Sequence, residues 1–171
     1  SDKFVSFNQK QKEKRKSNIL NQLYEEVTKL ENSIDSLKTY LQENLTSELA
    51  PSILEKISTA QAVLNNKQLV TLISFNTNIS EFIVMLSQLD KEIDKSNQLI
   101  TNLKIYLQEN ITSENIESIL VNIKKLDDAI LSKSLDNLFT TNAEVKDFVL
   151  NNNIKTQKDI LEEKKAKEKQ I

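Results

Sequence analysis

The groups in this chain whose types could carry acid–base chemistry are carboxylates and lysines. Glu25-Glu26 and Asp127-Asp128 are adjacent acid pairs, and Glu162-Glu163 is followed by Lys164-Lys165. Paired carboxylates can divide the roles of general acid and general base, and a Ser or Thr beside a Lys can act as a nucleophile. Neighbours in a helix point to different azimuths, however, so these pairs describe ordinary solvated faces. Histidine and cysteine are both absent, which removes imidazole and thiolate as base, nucleophile or metal ligand. A carboxylate-bridged bundle site needs Glu-x-x-His and an EF-hand loop needs its glycine; the chain has neither. No catalytic residue, cofactor site or metal ligand is expected, and the chain is not expected to be an enzyme.

A duplicated string is more informative. Leu37-Lys38-Thr39-Tyr40-Leu41-Gln42-Glu43-Asn44-Leu45-Thr46-Ser47-Glu48 returns as Leu103-Lys104-Ile105-Tyr106-Leu107-Gln108-Glu109-Asn110-Ile111-Thr112-Ser113-Glu114. Residues 20–85 can be laid without a gap on 86–151, with about 25 of roughly 66 positions identical, the signature of a tandem unit. Tyr40 and Tyr106, with Gln42 and Gln108, are the candidate contacts with a partner, because aromatic anchors dominate interfaces. The plainer alternative packs both tyrosines on an adjoining helix with their hydroxyls in water. Asn44-Leu45-Thr46, Asn110-Ile111-Thr112 and Asn78-Ile79-Ser80 fit the glycosylation acceptor pattern, but they coincide with expected helix caps and carry no weight in so Asn-rich a chain.

The elements that must position these residues are helices. Glycine is absent and Pro51 is the only proline, so tight β-turns lack their usual residue and helices have few breakers. Leu20, Leu23, Val27, Leu30, Ile34, Leu37 and Leu41 alternate steps of three and four. Ile79, Phe82, Leu86, Leu89, Ile93, Ile100, Leu103 and Leu107 repeat that seam, interrupted only at Ser96, which is either a packing tolerance or a register device. The long helices should stop at Asn44 and Asn110 in the left-handed C′ conformation. Thr46-Ser47 and Thr112-Ser113 should cap the next helices, with Glu48 and Glu114 in their first turns and Pro51 early enough to be tolerated.

The returning helices carry Ile53, Leu54, Ile57, Ala60 and Leu64, matched by Ile119, Leu120, Ile123, Leu126 and Ile130. Asn65-Asn66-Lys67 and Ser132-Lys133-Ser134 should kink them, before Asn76-Thr77-Asn78 and Thr140-Thr141-Asn142 cap the next long helix. Long helices of roughly 45–50 Å result. The last, near 142–167, should act as a cap held by Phe148, Val149, Ile154, Ile160 and Leu161.

The expected fold is therefore all-α: an elongated antiparallel helical array or bundle of two tandem ~66-residue repeats plus a capping helix. Its parts are a charged helical extension (1–19), repeat one (20–85), repeat two (86–151) and a C-terminal cap (142–171) overlapping the second repeat. In layout it is loosely similar to spectrin-like and bacterial-surface three-helix repeats, but the unit length and the Tyr-Leu-Gln-Glu-Asn string match no family signature.

Charge is balanced: the formal net charge is −2, which argues against a nucleic-acid partner despite the basic run Lys10 to Lys16. No stretch approaches the roughly 18 apolar residues of a membrane span, so none is expected in this fragment. The first residue is not Met and the end is a charged run, so the chain reads as part of a larger protein. The expectation is a non-catalytic protein-binding module of a bacterial or parasite surface-exposed or secreted protein, presenting repeated helical faces to a host protein or to itself. The alternative is a coiled-coil spacer or self-assembly segment. Cell-surface or secreted location is favoured, and no cofactor is implied.

Overall fold

The computed structural model describes residues 2–170; Ser1 and Ile171, the outermost positions of the expected extension and cap, lie outside them. Among the described residues all regular structure is helical: α1 Asp2–Glu43, α2 Ala50–Asn66, α3 Leu69–Glu109, α4 Ile116–Ser132, α5 Leu135–Asn151 and α6 Gln157–Gln170. The chain divides into two compact units, Ser1–Val84 and Met85–Ile171.

In the first unit, α1 is exposed from Lys3 to Gln22 and begins to bury a stripe only at Leu23. Leu30, Ile34 and Leu37 then face inward, opposite Ile53, Ile57 and Ala60 of α2 and Leu72 and Ile79 of α3. Each fully buried Leu or Ile of this kind stabilises the fold by about 1.5–3 kcal/mol. Pro51 sits in the first turn of α2, as expected. Lys56 of α2 donates to Asn78 Oδ1 at 2.8 Å and lies 5.3 Å from the Phe82 ring centroid, which fixes α2 and the start of α3 as an antiparallel helical hairpin.

Three expectations are corrected here. The reversal falls at Lys67, whose φ of 49° is left-handed, rather than at Asn76-Thr77-Asn78, which lies inside α3. Asn44 and Asn110 are not left-handed; each instead turns its side-chain amide back to a carbonyl four residues earlier, Tyr40 O at 2.9 Å and Tyr106 O at 3.0 Å. Because nothing breaks the chain at residues 76–78, α3 reaches 41 residues, and α1, continuous with the charged N-terminal run, reaches 42, roughly 60 Å each.

By length and composition α3 is also apolar enough to cross a membrane, and 22% of its most apolar stretch is buried. That revises the expectation that no stretch comes close. In the described structure the helix packs Leu72, Asn76 and Ile79 into the first unit's interior.

The second unit centres on Ile100, Leu103, Ile119, Ile123, Leu126, Val145 and Ile154. Its helices again reverse at a left-handed lysine, Lys133 with φ 51°, and Ser134 caps α5 by accepting from Asn137 N–H at 3.3 Å. Thr140-Thr141-Asn142, like its counterpart, is helix interior. Glu48 and Glu114 precede α2 and α4 instead of entering their first turns; Glu117 takes that place in α4.

The expected long capping helix is two helices. Asn153 has φ 49°, and the N–H groups of Asn153 and Ile154 donate to Leu150 O at 3.3 Å and Val149 O at 3.1 Å, the Schellman pattern that ends a helix. Thr156 and Asp159 then cap each other: Asp159 N–H donates to Thr156 Oγ1 at 3.1 Å and Thr156 N–H to Asp159 Oδ2 at 3.2 Å, a reciprocal capping box. Phe148, Val149 and Ile154 anchor this end of the unit, while Ile160 and Leu161 of α6 stay exposed.

Candidate functional site

Two features stand out from the apolar packing: a buried polar clamp in each unit, and the turns that follow α1 and α3.

In the first unit the Asn76 amide donates to Glu26 O at 2.9 Å and to Glu26 Oε2 at 2.7 Å, and Lys29 donates to Glu26 Oε1 at 3.2 Å. In the second, Asn142 donates to Glu92 O at 3.1 Å and Oε2 at 3.0 Å, and Lys95 to Glu92 Oε1 at 2.9 Å. Both Asn–Glu pairs are 50 residues apart in sequence. Glu26 is therefore not the plain solvated acid the sequence suggested; the Asn76 hydrogen bond holds its carboxyl below the usual range against the upward push of burial. The Lys95 hydrogen bond chiefly does the same for Glu92, with Asn142 assisting.

The clamps differ at one atom. Ser96 Oγ lies 2.6 Å from Asn142 Oδ1 and 3.0 Å from Glu92 O. A hydroxyl has one proton, and the shorter contact to the otherwise unserved amide oxygen takes it. Leu30 holds the aligned place in the first unit and has no proton to give, and Asn76 Oδ1 is buried without a hydrogen-bond partner. The interruption at Ser96 is thus a bonded position in a polar cluster.

Each turn is tied by the same bonds. Ser47 N–H donates to Asn44 O at 3.0 Å, and Ser47 Oγ accepts from Leu49 N–H at 3.2 Å. Ser113 N–H donates to Asn110 O at 3.0 Å, and Ser113 Oγ accepts from Asn115 N–H at 3.2 Å. The serines brace the turns instead of capping the helices. On these frames Leu45 and Ile111 stand out, 70% and 76% exposed. Sequence reasoning missed them; the available signal was an aliphatic residue repeated at the centre of an otherwise polar string.

Tyr40 and Tyr106 are half-buried, Gln42 and Gln108 exposed. Tyr106 packs against the core of its unit, in keeping with the plainer alternative. It also lines, with Gln108 and Ile111, a shallow depression of about 350 Å³. The Asn44 and Asn110 amides are engaged within their turns and Asn78 Oδ1 accepts from Lys56.

Glu25, Asp127, Asp128, Glu162 and Glu163 are exposed, and Glu163 pairs with Lys155 at 2.9 Å. Among the described residues no group of three or more acidic, His or Cys side chains could hold a metal ion. No family model matches the chain, nor does any curated protein or solved structure.

Proposed function

We propose that the chain is a non-catalytic protein-binding module built from two copies of one three-helix unit, and that the turns after α1 and α3 are its contact points. The observation that carries the reading is the pair of aliphatic side chains, Leu45 and Ile111, held out on turns tied by matching hydrogen bonds. A single exposed leucine needs no explanation; aliphatic side chains repeated at aligned positions, on turns already tied by hydrogen bonds, are what an interface with low ordering cost uses. The tandem reading draws on the matched clamps, the left-handed lysines at 67 and 133 and the matched turns, all about 66 residues apart. A spacer whose seams pair with other copies is less favoured, because Leu37 and Leu103 are already buried inside their own units.

Photo-crosslinking tests it. A crosslinking group placed at position 45 or 111 should trap a discrete partner protein, while the same group at Leu54 or Leu120, also exposed but on helix faces, should not. Equal trapping at all four positions would remove the turns from the interface.

A further inference from the structure

The second unit carries a cleft whose character is opposite to that of the first unit's turn. Lying between α3 and α5, it has a volume of about 510 Å³, with Leu99, Phe139 and Ala143 as walls and Lys95 and Lys146 at the rim, large enough for an incoming apolar side chain. Phe139 is 47% exposed there. The floor is the Glu92–Asn142 clamp, whose polar atoms bond one another and Lys95. An incoming group therefore meets the apolar walls, the amides of Gln98 and Asn102, and two ammonium groups, of which Lys95 is already paired with Glu92 at 2.9 Å. In the first unit the aligned positions hold Ser33, Ile73 and Ser80 in place of Leu99, Phe139 and Lys146, so the aromatic wall and the outer cation belong to the second unit.

The turn after α1 shows the complement: Leu45 projects between Glu43 and Glu48, both exposed, whereas Glu109 beside Ile111 is already engaged by Gln157 N–H at 3.1 Å. We propose that Leu45 of one molecule docks in the α3–α5 cleft of a second molecule, with Glu43 or Glu48 facing Lys146. This rests on the protein-binding reading and names the partner as another copy of the chain. A formal net charge of −2 sets little repulsion between copies. Because turn and cleft are different surfaces, one molecule can offer its turn to one copy and its cleft to another.

Sedimentation of the intact chain tests it. The wild-type mass should exceed the 19.6 kDa of one chain, rise with concentration and fall with added salt. Leu45→Ser and Lys146→Glu, both surface changes, should each sediment as single chains with unchanged helical circular dichroism. Mixed in equal amounts they should form a two-chain species, since one still offers an intact cleft and the other an intact turn. A wild type that stays single at every concentration, variants that associate as the wild type does, or a mixture that stays single would each overturn the proposal. Those outcomes leave the crosslinking test at positions 45 and 111 free to support a foreign partner.

Discussion

Replacing Ser96 by Ala removes one oxygen from a site with no exposure to solvent. The Asn142 Oδ1 that now takes the Ser96 proton at 2.6 Å would become a buried acceptor without a donor, as Asn76 Oδ1 already is. Such an orphan costs about 1–3 kcal/mol, and the better helix propensity of Ala returns only about 0.5 kcal/mol. A net loss of about 1–2 kcal/mol should appear in urea unfolding followed by circular dichroism. If the two units unfold separately, hydrogen exchange of the α5 amides supplies the local value. The comparison between units sharpens the test. Asn142→Ala should cost about 1 kcal/mol more than Asn76→Ala, because only Asn142 has both ends of its amide served. A Ser96→Ala protein as stable as wild type, or equal losses at positions 76 and 142, would refute this accounting of the clamp.

Leu37→Ala and Leu103→Ala, each removing a side chain at most 1% exposed, should cost about 2–4 kcal/mol in the same unfolding assay; little loss at both would mean the stripe has been assigned to the wrong face. Tyr106→Ala should lower stability measurably, since Tyr106 packs on the second unit's core, and a neutral result would return it to the role of pure surface contact. Glu26 and Glu92 ionise below their ordinary value of 4.5 when folded. Their stabilisation is therefore complete above that value and is lost as pH falls through the folded pKa. Stability measured from pH 7 down to about 3 should fall on the acid side, and Glu26→Gln with Glu92→Gln should flatten that limb; an unchanged slope would show that the clamps are not charge-dependent.

The leucine stripes were legible because burial on one face of a helix imposes its spacing on neighbouring residues, as at Leu30, Ile34 and Leu37. Asn76 and Asn142 were misread as caps because a polar triplet usually ends a helix. Their real role depends on Glu26 and Glu92, 50 residues away, and no local rule reaches that far. The reversals were misplaced for a related reason: lysine is not a preferred left-handed residue. Yet Lys67 and Lys133 are the only identity between 58–68 and 124–134, a signal that could have been used. The left-handed stops expected at Asn44 and Asn110 are not there; Asn153 takes that conformation instead, inside what was expected to be one long helix. Thr156-Gln157-Lys158-Asp159 carries a legible capping pattern, at odds with one long helix through this stretch.

The clamps also explain how interchangeable leucines settle on one alignment. A seam of aliphatic side chains can slide by a heptad and still bury apolar surface. If α3 slipped by seven residues against α1, Glu26 would face Leu69 or Ile83 instead of Asn76. A seven-residue slip of α5 would set Glu92 against Leu135 or Val149. Either shift strips a carboxylate and an amide of their partners inside the unit, at several kcal/mol, while the leucine contacts change little. Because the Lys146 rim is set by where α3 meets α5, the Glu92–Asn142 pair that fixes that register also fixes where the proposed cleft stands.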